Sequence, residues 1–520
     1  MVLRSTASPL TPEFDDLVAS LLEKWKVPGL TISIVHGSST QAYGHSTLNP
    51  PTLMTPTTLF TTCSTTKAFT AAALSQSIAA SQSTPTPISW TTPVSTLLRD
   101  DFVLHTPSAT SSTTIEDILS HRTGLPGHFF CMAFASPSED LRTAVRKLRH
   151  LPLSYPPRTR FNYCNHMFIA ASHLLTHLHN GTDMGTILKN KIWSPLAMND
   201  TYFDVSAVQN NPSLSPRLAK GYTLDASTAQ LVPVPYLDYV ATTGTGAMVS
   251  TVLDYAKWIR AMIYKSGPIS EDGHAALRLP RTVISVADWE GMLGPPAGVG
   301  GFHLYALGWF VDVYAGEQIY WHSGSWEGFG IMVGFLPARG WGFAMMGNAQ
   351  VAKVVQLELY LRLIDGLVGR GGSGDAEREA YVRKLGERLK GDMWMGAEVG
   401  VGDVVGKLFP GLGLERTLPH ALGLEAYAGT YAHPGYGSLM LEVRDGKLVA
   451  DLTDRVIKRC MRFEHVTGEF FVAKYYYPHA EEAEPMFFKV GFYVDAKGTV
   501  ARLGMDVESA LGEMVWFGRG

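Results

Sequence analysis

The sequence predicts a mixed α/β (α+β) protein: an antiparallel sheet flanked by helices and broken by an inserted helical region, then a small C-terminal antiparallel β-barrel-like domain. Three observations lead there. Residues 13–36 read as a helix followed by a strand, and a long stretch of short helices and turns separates them from a late run of strands. The late strands follow one another through short polar connections, which makes them antiparallel hairpins. The last hundred residues then change to hairpin patterning throughout.

Taken in order, residues 13–26 carry helical apolar spacing and stop before Pro28-Gly29. LTISIVHG reads as a strand ending at Gly37, and Gln41 to Ser46 as a second one. Residues 47–60 are rich in Thr and Pro and read as loop. A helix is predicted from Ser64 through the Ala-rich AFTAAALSQSIAA. Residues 81–114 read as a surface excursion, and TIEDIL as a helix opened by Thr114 with acidic residues in its first turn. The middle section, 115–265, mixes short helices and turns. LGWFVDVY, QIYWHSG, GIMVGFLP and WGFAMMGN are the late strands, and VVQLELYLRLIDGLV is an amphipathic helix after them. GRGGSGD from 369 reads as a flexible joint, since it lacks the Lys of a phosphate loop. SLMLEVRDGKLVADL is two alternating runs joined at Asp445-Gly446, a strong hairpin signal, and FYVDAKGTVARLGMDV repeats it. The domains expected are 1–368, a linker with a helix over 369–420, and 421–520.

Composition limits the function. The chain has 520 residues, 46% hydrophobic and 17% charged, enough to bury a large core. A formal net charge of -4 gives no reason to expect nucleic acid or an anionic membrane as partner. Four cysteines without CxxC spacing speak against a disulfide framework or zinc knot and fit a reducing compartment. The N-terminus has no signal-peptide core and no apolar run is long enough to span a bilayer, so a soluble, cytoplasmic protein is expected.

Chemistry concentrates in three short motifs. Ser64-Thr65-Thr66-Lys67 is the only Ser-x-x-Lys in the chain. Residues three apart share a helix face, so the Lys67 amine would lie beside the Ser64 hydroxyl. A serine needs a base to become a nucleophile, and a desolvated lysine can serve. Tyr163-Cys164-Asn165 is the only Tyr-x-Asn; Tyr163 could pass protons and Asn165 could hold Lys67 or a substrate carbonyl. His322-Ser323-Gly324-Ser325 ends an apolar strand, where a small Gly324 lets a substrate backbone lie close. The backbone N–H groups of Ser325 and Ser64 could form an oxyanion hole. Each motif alone is common; the order of the three is what carries information.

That order, with the flanking LFTTCSTTKAFTAAAL, IEDILSHRTGLPGH, FNYCNHMF and HSGSWEGFGIMVGFLP, resembles the serine β-lactamase and penicillin-binding-protein superfamily, in particular its class C branch of esterases, D-aminopeptidases and acyltransferases. The resemblance covers about 13–366, and the tail resembles the lipocalin-like domain appended to many such proteins. It implies an acyl-enzyme on Ser64, with Lys67 and Tyr163 handling protons, a small ester, amide or lactone substrate, and no metal or organic cofactor. A hydrolase is the first expectation; an acyltransferase or cyclase differs only in the acceptor, and a non-catalytic binding member would not need Ser64, Lys67, Tyr163 and Asn165 intact.

Rivals are weaker. Lys265-Ser266-Gly267 is closer in letters to the Lys-Thr-Gly box but ends an apparent helix, where Lys and Gly cap. With His322 in the box, the fixed cation that grips a β-lactam carboxylate is missing, so esterase, amidase and transferase activities are favoured over β-lactam hydrolysis. His173, His177 and His179 lack a metal-site pattern, Cys63 and Cys164 read as packing residues, and no Gly-x-Ser-x-Gly elbow is present.

Overall fold

The computed structural model describes residues 8–36, 39–285, 294–296, 302–370, 373–392, 401–413 and 417–520. The large sheet is built from β1 (Gly29–Ile34), β2 (Ser39–Leu48), β3 (Pro51–Leu53), β4 (Thr282–Ser285), β5 (Phe302–Tyr305), β6 (Phe310–Tyr314), β7 (Glu317–Trp326), β8 (Phe329–Leu336) and β9 (Trp341–Gly347). The spatial order is β3-β2-β1-β9-β8-β7-β6-β5-β4, every neighbouring pair antiparallel. The N-terminal strands therefore join the late ones through β1 and β9, with Leu30 opposite Gly347.

Both faces are covered, and the period-2 alternation of β8 and β9 shows it. Ile331, Val333, Phe335, Ala344 and Met346 point into one core, while Met332, Leu336, Phe343 and Met345 point into the other. Helices α1 (Pro12–Trp25), α5 (Ala352–Val368) and α6 (Ser373–Asp392) close the second face. The first is closed by α2 (Thr66–Ser81), α3 (Asn165–Leu178) and α4 (Val252–Tyr264). Local chemistry sets the ends: Thr11 caps α1 ahead of Pro12, and Thr114 with Asp117 forms a capping box on the helix Ile115–Leu119.

Several expectations shift in detail. The loop over 47–60 contributes the short strand β3 against β2. β4 and β5, at the far edge of the sheet, went unrecognised in the sequence. The predicted joint after 369 is followed directly by α6, which packs on the sheet's helical layer: Arg378 reaches Asp365 at 2.5 Å with both side chains nearly inaccessible, and a Cβ on Gly386 would touch the Trp25 ring. In the remainder of the predicted linker Val401–Leu408 forms a helix, while residues 393–400 and 414–416 lie outside the described residues.

The C-terminal strands Gly429–His433, Gly437–Arg444, Lys447–Leu452, Arg459–Thr467, Phe470–Tyr476, Met486–Val494, Val500–Met505 and Val515–Arg519 form a closed barrel in sequence order, sealed by Tyr431 opposite Arg519. Asp445 and Gly446 both adopt positive φ, as a two-residue hairpin turn demands. Tyr431, Leu439, Leu448, Met461, Phe471 and Phe517 are buried among the residues that fill it. It docks on the sheet domain beside the active site. Tyr436 shares a 2.6 Å hydrogen bond with His128, the Cys131 thiol donates to the Gly435 carbonyl, and Arg459 pairs with Glu327 at 2.6 Å.

Candidate active site

Ser64 stands at the start of α2, one step before the expected α-helical turn. Cys63–Thr65 is a 3-10 turn, and the α-helix proper begins at Thr66. Cys63 adopts φ 50°, which turns the chain sharply and leaves Ser64 partly exposed among buried neighbours. The Thr62 carbonyl, accepting from the Thr65 hydroxyl at 2.7 Å, ties the turn together.

Lys67 follows on the same face. Its amine is buried and donates three hydrogen bonds: to the Ser64 hydroxyl (3.1 Å), to the Asn165 side-chain oxygen (2.8 Å) and to the Thr245 carbonyl (2.9 Å). Among the described residues no carboxylate lies within salt-bridge distance. Burial therefore dominates and holds its pKa well below the ordinary lysine value. The amine also faces the Tyr163 ring at 5.0 Å and the Phe168 ring at 5.4 Å.

Tyr163 lies in a loop, and Asn165 opens α3. Burial raises the phenol's pKa, while a hydrogen bond with the Ser64 hydroxyl acts in the opposite direction. The structure thus brings Ser64, Lys67, Tyr163 and Asn165 together around one amine.

β7 supplies the opposite wall. Gly324 packs against the Ser64 turn so closely that a Cβ would stand 2.5 Å from the Thr62 carbonyl oxygen and 3.2 Å from the Cys63 Cβ. Ser325 follows, its hydroxyl buried without a hydrogen-bond partner. His322 meets a different environment from the one expected. It is buried behind Tyr163, ring centroids 6.3 Å apart, and both of its nitrogens have protein partners. Nδ1 lies 2.7 Å from the Ser323 carbonyl and so donates; Nε2 then accepts from the Tyr305 hydroxyl at 3.0 Å. Burial and the nearby Lys67 bring its pKa down to about 3, so the ring is neutral at physiological pH.

Two contributors were missed. Thr245 offers its carbonyl to Lys67 and its hydroxyl to Asn165 at 2.8 Å. It belongs to the short helix Thr243–Gly246, which threads between α2 and α3: a Cβ on Gly244 would come within 2.4 Å of the Thr70 hydroxyl and 2.5 Å of that of Ser172. The Thr-Gly-Thr-Gly run before AMVS was the available signal. His121, at φ 54°, accepts from the Cys164 N–H at 3.1 Å and lays its ring 4.3 Å from that of Tyr163, fixing the Tyr-x-Asn loop.

The rivals take ordinary places. Lys265 is the left-handed C-cap of α4, followed by Gly267 at φ 84°. His173 pairs with Asp101 and His179 with Ser77, and no cluster able to hold a metal occurs among the described residues. Cys63 and Cys164 are buried, with thiols pushed up to about 12, a range in which thiolate is scarce.

An antiparallel sheet with a serine and a desolvated lysine one turn apart at its edge defines a serine hydrolase of the β-lactamase fold. The chain belongs to the β-lactamase family, whose model matches residues 14–367. A second family, described as a domain of unknown function, matches 415–519. Unguisins hydrolases of Aspergillus campestris and Aspergillus violaceofuscus are each 34% identical, covering 98% and 97% of this chain and 92% and 89% of their own. Among solved structures, the octameric penicillin-binding protein homologue from Pyrococcus abyssi superposes with a TM-score of 0.57 at 18% identity, over 97% of this chain and 99% of its own. D-amino acid amidase from Ochrobactrum anthropi, complexed with L-phenylalanine, gives 0.54 at 19%, over 68% and 99%. These two likenesses concern the fold. No helix among the described residues is long and apolar enough to cross a membrane.

Proposed function

We propose that this hydrolase cleaves amides through an acyl-enzyme on Ser64. The observation that carries the reading is the Lys67 amine, desolvated and 3.1 Å from the Ser64 hydroxyl. In its neutral form it accepts the Ser64 proton as Oγ bonds to the substrate carbonyl carbon. The backbone N–H groups of Ser64 and Ser325 receive the oxyanion. Collapse of the tetrahedral intermediate expels the amine, which takes a proton relayed through Lys67 and Tyr163. Water, losing a proton to the same pair, then releases the acid. Asn165 and Thr245 orient Lys67, and His322 positions Tyr163 rather than touching substrate. Activated esters enter the same path, and an acceptor alcohol or amine in place of water would make the reaction an acyl transfer.

An amide substrate is supported by the names of the relatives, an unguisins hydrolase and an amidase. Within the family we place the chain with the class C-like members, on its Tyr-x-Asn. We also divide it at 368 and 421, and assign it to the cytoplasm, where the free Cys131 and Cys164 fit a reducing environment. Intact-mass measurement and peptide mapping after exposure to a fluorophosphonate or an activated ester test the core of the reading: a single adduct on Ser64 is expected, and an adduct on Cys63 or Cys164 would refute it.

A further inference from the structure

From His322 to Trp326, β7 is paired on one side alone among the described residues. Its ladder with β6 ends at Phe310 opposite Trp321, whereas its ladder with β8 runs on to Trp326 opposite Phe329. Ser325, whose N–H the proposed chemistry needs, sits on this half-paired stretch, which ends in the two-residue turn Glu327-Gly328. Two-stranded ribbons twist more than strands inside a sheet, so the place of Ser325 beside the Ser64 turn has to be set by what holds the ends of the stretch. One anchor is Gly324, packed on Thr62 and Cys63. The other is at the turn, and it comes from the barrel.

Arg459 opens the barrel strand Arg459–Thr467 and donates to the Glu327 carboxylate at 2.6 Å, two residues beyond Ser325. A second N–H of the guanidinium donates to the Glu484 carbonyl at 2.8 Å, and its central carbon lies 4.1 Å from the centre of the Tyr477 ring. Only 2% of the Arg459 side chain and 16% of that of Glu327 are exposed, so water competes little for this charge-assisted contact. Arg459 is itself tied down. The N–H groups of Val456 and Ile457, just ahead of it, donate to the carbonyls of Ala135 and Ala133 at 3.1 and 3.3 Å, and Phe130 of that segment packs on the rings of Tyr475 and Phe488. At the start of the segment His128 gives its N–H to Glu508 at 2.5 Å. Its ring donates from Nε2 to the Pro152 carbonyl, so Nδ1 accepts from the Tyr436 hydroxyl. The His128 carbonyl accepts from His166 at 3.2 Å, one residue past the Asn165 that holds Lys67. The barrel is thus fixed to both walls of the catalytic cleft and gives the Glu327 end of β7 a firm reference.

We propose, resting on the reading of Ser64 as the acylated residue and of the Ser325 N–H as an oxyanion donor, that the barrel is a structural part of the catalytic centre: Arg459, acting through Glu327, is a positioning residue that sets the Ser325 N–H against Ser64. Arg459 touches no substrate. Its effect falls on the steps in which the carbonyl oxygen gains charge, because an oxyanion hole is aimed at where that oxygen stands in the tetrahedral state. Removing such a donor outright costs about 10²–10³ in kcat, and a donor shifted out of line should cost about tenfold or more. A barrel that only buried surface or gathered a partner would leave the rate per folded molecule untouched when the Arg459–Glu327 pair is cut.

The test uses the full-length enzyme, with p-nitrophenyl butyrate as substrate and phenylboronic acid as a probe whose tetrahedral adduct on a serine carries an oxygen in the oxyanion position. Rates are divided by the fraction of Ser64 that a fluorophosphonate labels at completion, so that misfolded molecules drop out. Arg459→Met should lower kcat/KM about ten- to a hundredfold and raise the inhibition constant of the boronic acid by a similar factor, since both report the same tetrahedral geometry. Arg459→Lys, which keeps the cation, should restore most of both. Arg459→Met alone strands a buried carboxylate, so Arg459→Met with Glu327→Gln is the second variant: it removes the stranded charge and should recover the fold but not the rate. Variants with normal kcat/KM per labelled Ser64 overturn the proposal. So does a lowered rate with an unchanged boronate constant, or a double variant that regains full activity. Failure of the fluorophosphonate to label Ser64 in the wild type would instead defeat the parent reading, and this one with it.

Discussion

Gly324→Ala probes the junction on which the site depends. The added Cβ would stand 2.5 Å from the Thr62 carbonyl oxygen, 3.1 Å from the Ile331 Cβ and 3.2 Å from the Cys63 Cβ. Optimal carbon contacts lie near 3.5–4.0 Å, so the strand and the turn would have to part by about 1 Å. The Thr62 carbonyl cannot move aside alone, because it accepts the Thr65 hydroxyl and backbone N–H that close the nucleophile's turn. Overpacking of this kind costs about 1–3 kcal/mol. The kinetic effect is larger in proportion: misplacing reacting groups by about 1 Å costs on the order of 10²-fold in rate. The assay pairs kcat/KM for p-nitrophenyl butyrate with urea unfolding of the same preparation. Gly366→Ala is the control: it lies in α5 with nothing within 4 Å of a new Cβ, so it should gain about 0.5–1 kcal/mol and leave the kinetics unchanged. A Gly324→Ala enzyme as active and as stable as the wild type would show that β7 does not brace the Ser64 turn.

Two further outcomes follow. Lys67→Ala, Tyr163→Phe and the double variant should each lower kcat/KM by a similar large factor, since both residues contact one hydroxyl and each other; losses that multiply would show independent roles. Acid stability should be poor. Burial lowers His128 and His322 to about 3 and His166 to about 4. The unfolded chain therefore binds protons below about pH 6.5 that the folded chain refuses, and stability falls as pH drops from there toward the folded values. Each of the three sites contributes a loss of about 2 kcal/mol or less between pH 7 and pH 5, and urea midpoints that stay constant over that interval would contradict their burial in neutral form.

What the sequence revealed and what it hid divide along a physical line. Signals that act within a few residues were legible. Asp445-Gly446 dictated its turn, Thr114 with Asp117 capped its helix, and the three-residue spacing placed Lys67 beside Ser64. What depends on contacts between distant segments was not. The Thr-Gly-Thr-Gly run sets the Thr243–Gly246 segment apart but does not name it as the partner of Lys67, because that role comes from a backbone carbonyl, which any residue type can supply. The edge strands β4 and β5 are short and separated by residues 286–301, so no pairing signal joins them in the chain. The glycines after 369 read as a joint, yet α6 gains its place from Asp365 and from Trp25 at the opposite end of the domain.

His322 carries the same argument into the chemistry. Its letters place it in the box where the resemblance implies a cation for β-lactam binding, and the sequence alone says that a fixed cation is missing there. The structure gives a reason why the ring offers a substrate neither charge nor a free donor. A ring that donates to the Ser323 carbonyl and accepts from Tyr305 has no nitrogen left for a substrate. Its protonation would place a second positive charge near Lys67, whose own charge is already disfavoured by burial. A lysine at this position would bring that repulsion permanently, and its amine would have to displace the Tyr305 contact to reach solvent.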